Sequence, residues 1–427
     1  MAHKRIALSD AIMFHRPFRK TALLATFLLL LCGAGGLRAQ NYEYVKKSRF
    51  LQMYLGVDLV NYNDQIKLNY QSSGSGAESM HVQPSGNTRL VFGGLGMKGR
   101  TDLYLAIPTT STTTEDGITA AYNNGIEMGF RLYVLKVKPN TVSPFLGTSL
   151  HIRTFKQASS SAAADTGPEH TSLGTSMSFG FLLPTPYGMV ELGTQKTSSS
   201  KVSYPYYRNG STVGVADTQL PSSFTWFGYR YLFDTANPDK SSGRSTSGFT
   251  LGLGINQTIS LKTSPYTYSS RKYLAKRPGT GLYSEANLGY YFGSWDSFFQ
   301  MSSRTVPYVQ KGYGYELKIN RSISGLEAAT FIAKLGSFHP FLGVGYNQES
   351  IAITESDSGS SAASSSTSTV SRSLLGGFDL RVDNKGMFVM RSMFRYTPNV
   401  RPAVSSGGIL KLDGLEISYF QLVMHFR

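Results

Sequence analysis

The chain has 427 residues, with 42 Lys and Arg against 26 Asp and Glu, a formal charge of +16, one cysteine and 44 glycines. Its mean hydropathy is slightly negative, which excludes a helical membrane protein but suits a strand-built one whose interior and loops are polar. A basic chain could meet nucleic acid, but the sequence holds no glycine-aromatic RNA signature, zinc-finger spacing or basic helix.

Residues 1–39 read as an export signal. Arg16, Arg19 and Lys20 precede an apolar run from Thr21 to Leu31, and small residues end at Ala39, where cleavage is expected. Met13 would start a signal of more usual length. A lipoprotein signal ending at Cys32 is the alternative, although Leu31 stands where a small residue is expected. Cleavage after Ala39 removes the only cysteine, so no disulfide can form. It also removes six bases and one acid, which takes the formal charge from +16 to +11. Phosphate on a lipopolysaccharide surface is the expected anion.

From residue 40 onward the dominant signal is a period of two. Leu51, Met53, Leu55, Val57 and Leu59 alternate with Gln52, Tyr54, Gly56 and Asp58. The residues from Arg89 to Leu95 and from Asp102 to Ile107 form weaker strands. The clearest stretch runs from Asn123 to Phe155. Met128, Phe130 and Leu132 oppose Glu127, Gly129 and Arg131, and beyond a Lys138 to Thr141 turn Leu146 and Leu150 oppose Ser149, His151 and Arg153. Leu173 to Phe181, Val190 to Leu192, Phe224 to Phe233, Phe249 to Ile255, Leu282 to Phe292 and Tyr315 to Asn320 continue it, the last with Glu316 and Lys318 on the polar face. Such limbs suit the roughly 9 to 11 residues of a tilted membrane strand. Short turns (136–143, 183–188, 293–297, 334–339, 382–386) alternate with long loops (63–87, 157–170, 196–222, 257–278, 353–370, 397–413), and 234–245 breaks the rule. The expectation is an all-β transmembrane antiparallel β-barrel over residues 40–427, about 14–16 strands, with short periplasmic turns and long extracellular loops. Asp357 to Thr369, serine-rich and nearly uncharged, reads as a loop tip.

At Pro340-Phe341-Leu342-Gly343-Val344-Gly345-Tyr346 and at Leu374 to Tyr396 the chain resembles the outer-membrane β-barrel families of Bacteroidota-type bacteria. The Ala39-Gln40 junction and the terminal strand from Ile417, with Phe420, Leu422, Met424 and Phe426 on one face, are similar to theirs, apart from the added Arg427. The resemblance implies an outer-membrane location in a Gram-negative bacterium, and brings no catalytic residues with it.

The polar faces collect Asp58, Glu127, Arg131, His151, Arg153, Glu191, Arg230, Glu285, Glu316, Lys318, Asp379, Arg381, Arg391 and Arg395 as lumen-lining candidates. Two readings follow: a porin-like passive channel for small solutes, or an ionic network bracing an interior that passes nothing, as in a scaffold, adhesin or secretion-system component. Strand number decides between them, because roughly 16 strands leave an aqueous channel while about 8 are filled by side chains. A hydrolase built on Ser149, His151 and Glu127 is the third reading. No cofactor or metal spacing is present. Arg271, Lys272, Lys276 and Arg277 are candidates for lipopolysaccharide contact. Tyr133, Trp226, Tyr290, Tyr291, Trp295 and Tyr396 are candidates for an interfacial aromatic girdle.

Overall fold

The computed structural model describes residues 51–426 apart from isolated residues and short stretches, the longer being 72–76, 83–87, 160–166, 233–246, 267–273, 334–337 and 382–386. The export signal falls outside the described residues.

Twenty-two strands are present among the described residues. The first half contains β1 (Leu51–Tyr62), β2 (Ile66–Gln71), β3 (Ala77–Val82), β4 (Thr88–Gly96), β5 (Thr101–Pro108), β6 (Ser111–Glu115) and β7 (Ile118–Asn123). It continues with β8 (Glu127–Tyr133), β9 (Ser143–Ser159), β10 (His170–Thr185), β11 (Gly188–Thr197), β12 (Lys201–Arg208), β13 (Ser211–Gln219) and β14 (Ser223–Leu232). The second half contains β15 (Gly248–Ser260), β16 (Tyr283–Phe292), β17 (Ser297–Gly312), β18 (Tyr315–Phe331), β19 (Phe338–Asp357), β20 (Ala363–Arg381), β21 (Phe388–Thr397) and β22 (Gly414–Phe426).

These strands close twice. In the first half β10, β11, β14, β1, β4, β5, β8 and β9 pair in that order, and β9 pairs back to β10, which makes a ring of eight antiparallel strands. In the second half β15 to β22 pair in sequence order and β22 returns to β15, again eight. The single barrel of about 14–16 strands is therefore corrected to two barrels of eight. The physical reason is that alternation reports which face a residue occupies and says nothing about which strand lies beside it. Residues 233–246, the connection that breaks the loop rule, join β14 to β15, and those two strands do not pair with each other.

Three expected loops also contain strands. Residues 63–87 hold the β2–β3 hairpin and 196–222 hold β12–β13, which assemble in the order β13-β12-β2-β3. The serine-rich stretch from Asp357 is mostly strand, because β19 reaches Asp357 and β20 begins at Ala363. Serine and threonine are carried there by the backbone ladder with β19, which runs without a register shift from Phe338 to Glu355.

The outer walls carry the apolar rows. On the first barrel Leu55, Leu90, Leu132, Leu146, Phe179, Leu192 and Phe227 are exposed; on the second, Leu253, Leu288, Phe299, Met301, Leu342, Val344 and Leu374 are. Ile152 of β9 clusters with Ile259, Ile417 and Tyr419 from the second barrel's strands, so that part of the two walls is in contact.

Candidate functional site: the two barrel interiors

In the first barrel the inward residues form one continuous chain of charges. Arg89 Nε meets Asp58 Oδ2 at 2.7 Å and Nη1 meets Glu127 Oε2 at 3.0 Å. Arg230 joins Asp58 to Glu191, at 2.5 and 3.2 Å, and Arg131 joins Glu191 to Asp102, at 2.8 and 3.1 Å. Neutral donors finish the carboxylates: Tyr54 Oη donates to both oxygens of Asp102, Tyr104 Oη to Glu127, and Trp226 Nε1 to Glu191. The Arg131 guanidinium lies 4.0 Å from the Tyr104 ring centre. That ring has room because position 129 is glycine; a Cβ there would sit inside it. Every member of the chain is at least 96% buried.

The second barrel is built likewise around Arg395. Its guanidinium contacts Glu285, Glu327 and Glu416, three carboxylates brought in from β16, β18 and β22. Arg304 Nε reaches Glu416 at 2.9 Å, Arg391 pairs with Asp379 at 2.7 Å, and Arg321 pairs with Glu349 at 2.7 Å. Gln300 ties the groups together, donating to Glu327 and accepting from Arg391.

Apolar layers lie on both sides of this charged layer. At the short-turn end Tyr291, Phe298, Phe341, Leu375 and Met393 form a cluster. At the long-loop end Val306, Tyr308, Leu317, Ile319, Ile351 and Ile353 face inward and meet Tyr266, Leu274, Val400, Val404, Leu410 and Leu412 from the loops. The first barrel has the same arrangement at its long-loop end, where Ile66, Met80, Ile118, Tyr122, Phe155, Val202 and Tyr204 from the wall and from the β2–β3, β6–β7 and β12–β13 hairpins make one core.

The long strands thus invert polarity along their length without changing register. On β18 the outward residues run Ala328, Leu326, Ser324, Ser322, Asn320, Lys318, and the inward ones Glu327, Gly325, Ile323, Arg321, Ile319, Leu317. The lower part has a membrane wall's polarity and the upper part a soluble sheet's. Two expectations are corrected by this. Glu316 and Lys318 do not face the interior: Lys318 is exposed, and Glu316 meets Lys311 at 2.6 Å and Lys318 at 3.1 Å on the outer face. Hydrogen bonds from these two lysines hold the Glu316 carboxyl below its usual range. Charge marks the inner face only where the outer face is apolar; beyond that stretch charge marks the outer face.

The structure places the other candidates as follows. Asp58, Glu127, Arg131, His151, Arg153, Glu191, Arg230, Glu285, Asp379, Arg391 and Arg395 are buried and point inward. The side chain of Arg381 lies outside the described residues, as do Arg271, Lys272 and Lys276, while Arg277 is exposed. Arg153 bonds Ser200 Oγ at 2.7 Å and the Ser198 carbonyl at 2.9 Å rather than a carboxylate. His151 has no hydrogen-bond partner on either ring nitrogen, and Gln195 Nε2 bridges Glu127 and Ser149 instead. Of the expected girdle, Tyr133, Trp226 and Tyr291 are inward and buried, which corrects that reading for them, and Trp295 is exposed.

Sequence reading missed Arg89, Asp102, Arg304, Arg321, Glu327, Glu349 and Glu416. Taking Glu316 and Lys318 as inward set the wrong parity for β18, and Glu327 is on the opposite one. Extending the period from the aliphatic row Leu326 and Ala328 would have found it.

No family model and no curated protein matches the chain. Structural neighbours are outer-membrane β-barrel proteins. Neisserial surface protein A is 16% identical, with a TM-score of 0.31, and covers 43% of this chain and 100% of its own. OmpT of Vibrio cholerae, in trimer form, is 7% identical, with a TM-score of 0.18, covering 88% and 99%. The toluene transporter TodX of P. putida is 10% identical, with a TM-score of 0.13, covering 90% and 92%.

Proposed function

We propose that this protein is a non-conducting, double-barrel platform in the outer membrane of a Gram-negative bacterium, exported by residues 1–39 and carrying β-structure above the membrane. The observation that carries this is the closure of each interior by a charged layer, in which Arg395 engages three carboxylates and neither it nor Glu285 or Glu327 has exposed side-chain surface. Eight strands leave an interior that side chains fill. Nine of the fourteen residues expected to line a channel belong to these charged layers, so of the two readings the network is the one we put forward. Outward apolar rows on all sides support a lipid surround, since soluble monomers rarely expose contiguous apolar patches larger than a few hundred Å². The Ser149, His151 and Glu127 set is read as wall packing, because the histidine bonds neither partner and all three are buried. Resemblance to Bacteroidota-type barrels, and contact of the Arg271 to Arg277 bases with lipopolysaccharide phosphate, remain part of the proposal.

Planar-bilayer recording tests it. Purified, folded protein is expected to give no reproducible single-channel steps; regular steps would return the porin-like reading to first place.

A further inference from the structure

Above the membrane the second barrel is not a closed wall. Strand β20 pairs with β19 from Ala363 to Leu380, but with β21 only from Leu374 to Arg381. Residues Ala363 to Ser373 therefore have a partner strand on one side and none on the other. Among the described residues no backbone hydrogen bond outside the β19 ladder reaches this segment. The opposite margin of the same sheet is different, because β17 is bridged there through Tyr308 to Thr280.

The side chains toward its Ala363 end are bare as well, whereas Ser371 and Ser373 at the other end are buried. Ala363, Thr367 and Ser365 face the same way as the buried Ile351 and Ile353 beside them, yet the first two are exposed and Ser365 is half-buried. An unpaired strand edge of about 11 residues, roughly 36 Å at 3.3 Å per residue, is a template for another strand. Proteins usually blunt such an edge with lysine, proline or a bulge. From Ala363 to Ser371 this edge has no charge, no proline and no register break, and Arg372 is the first charge in it. One apolar side chain stands next to it. Ser365 Oγ donates to the Ala403 carbonyl at 3.4 Å, and Ala403 bridges to Ile409, which is 52% exposed.

We propose that the Ala363–Ser373 edge of β20 is a strand-addition site for an extended peptide segment of a partner protein outside the cell, running antiparallel to β20. The unpaired groups are backbone amides and carbonyls at strand spacing, and what satisfies them is another backbone. A second copy in the same membrane is the wrong occupant. A two-fold axis along the membrane normal leaves both copies of β20 running the same way, so they could pair only in parallel, the less stable ladder. Alternate apolar residues in the incoming segment would meet Ile409. The proposal rests on the platform reading, but the two fail separately, one in conductance and the other in peptide capture.

The probe is a labelled synthetic peptide with the sequence Gln348 to Glu355, which already pairs antiparallel with Val370 to Ala363 in the β19 ladder. Full-length protein in detergent should bind it saturably, and amides within Ala363–Ser373 should exchange more slowly in the complex. Successive amides on a strand point to opposite sides, so of Ser366→Pro and Thr367→Pro one removes a free-edge donor and the other a β19 bond. The variant that keeps its heat-modifiable fold should bind at least tenfold more weakly. Should both variants fail to fold, wild-type exchange still decides. No binding to wild type, unchanged binding by a folded variant, or protection confined to another edge such as Ser211–Gln219 would each overturn the proposal.

Discussion

At the scale of single residues the interior charges are held by partners and not by solvent, so their removal is costly. Replacing Arg395 by Ala would leave Glu285, Glu327 and Glu416 buried around a gap, with Arg304 left to offset Glu416 at 2.9 Å and Glu327 at 3.8 Å. Breaking a buried pair from one side costs about 3–5 kcal/mol, and Arg395→Ala should lower the denaturant midpoint of refolded protein accordingly. A midpoint within error of wild type would show that water already reaches these carboxylates. Glu355, about 30 Å along β19 from Tyr346, where the exposed apolar row of that strand ends, behaves differently because its partners are neutral. Burial alone would raise its pKa, but hydrogen bonds from Tyr266, Tyr315, Ser405 and Ser406 outweigh that and bring it to about 2. A folded-state pKa below the unfolded value means the stabilisation is present above pH ~4.5 and is lost as pH falls toward 2. The loop carrying Ser405 and Ser406 should accordingly gain proteolytic sensitivity across that window. In Glu355→Gln the sensitivity should be high at every pH; a wild-type profile unchanged down to pH 2 would contradict the assignment.

At the scale of the element, polarity inversion on β17 to β20 sets a boundary that mutation can locate. Cross-strand rows on the outer face read Phe299, Ala328, Val344, Leu374, then Met301, Leu326, Tyr346, Arg372, then Ser303, Ser324, Gln348, Val370, then Thr305, Ser322, Ser350, Ser368. Arginine at Ala328, one row further from the boundary row of Tyr346, should cost up to about 2–4 kcal/mol, the range for a charge on the lipid face toward mid-depth. At Ser322, six residues away on the same face, the same substitution should fall within about 0.5 kcal/mol, as surface changes do. Equal costs in refolding titrations into lipid bilayers would place both positions on one side of the boundary. This inversion is also where the sequence stopped being legible. A period of two is visible wherever the two faces differ in polarity, which is why almost every barrel strand and the inward placement of Glu127, Arg131, Glu191 and Arg395 could be read. Which face is which cannot be read from alternation alone, because the outward row of β18 changes from apolar at Ala328 and Leu326 to polar at Ser322, Asn320 and Lys318. Lys318 and Glu327, nine residues apart, therefore carry charge on opposite faces of one strand.

At the scale of the whole molecule the decisive contacts are the two closures, β1 to β14 and β15 to β22, and in both the paired strands are far apart in sequence. No local pattern encodes them; the one trace was the long connection at 234–245 on the short-turn side. Because β14 and β15 pair only within their own rings, no ladder bond of a described strand crosses from one barrel to the other. Their charge networks are equally separate: one draws on residues between Tyr54 and Arg230, the other on residues between Glu285 and Glu416. Eight strands are a sufficient number for an independent outer-membrane barrel. Cutting the chain after Asn237 should therefore give two fragments that refold apart in detergent, each with strand-rich circular dichroism and heat-shifted gel mobility. The apolar cluster joining Ile152 to Ile259, Ile417 and Tyr419 predicts that mixed fragments associate more strongly than either does with itself. If neither fragment folds without the other while the intact chain does, the barrels are one cooperative unit, and that wall contact contributes more to the fold than either closed ring.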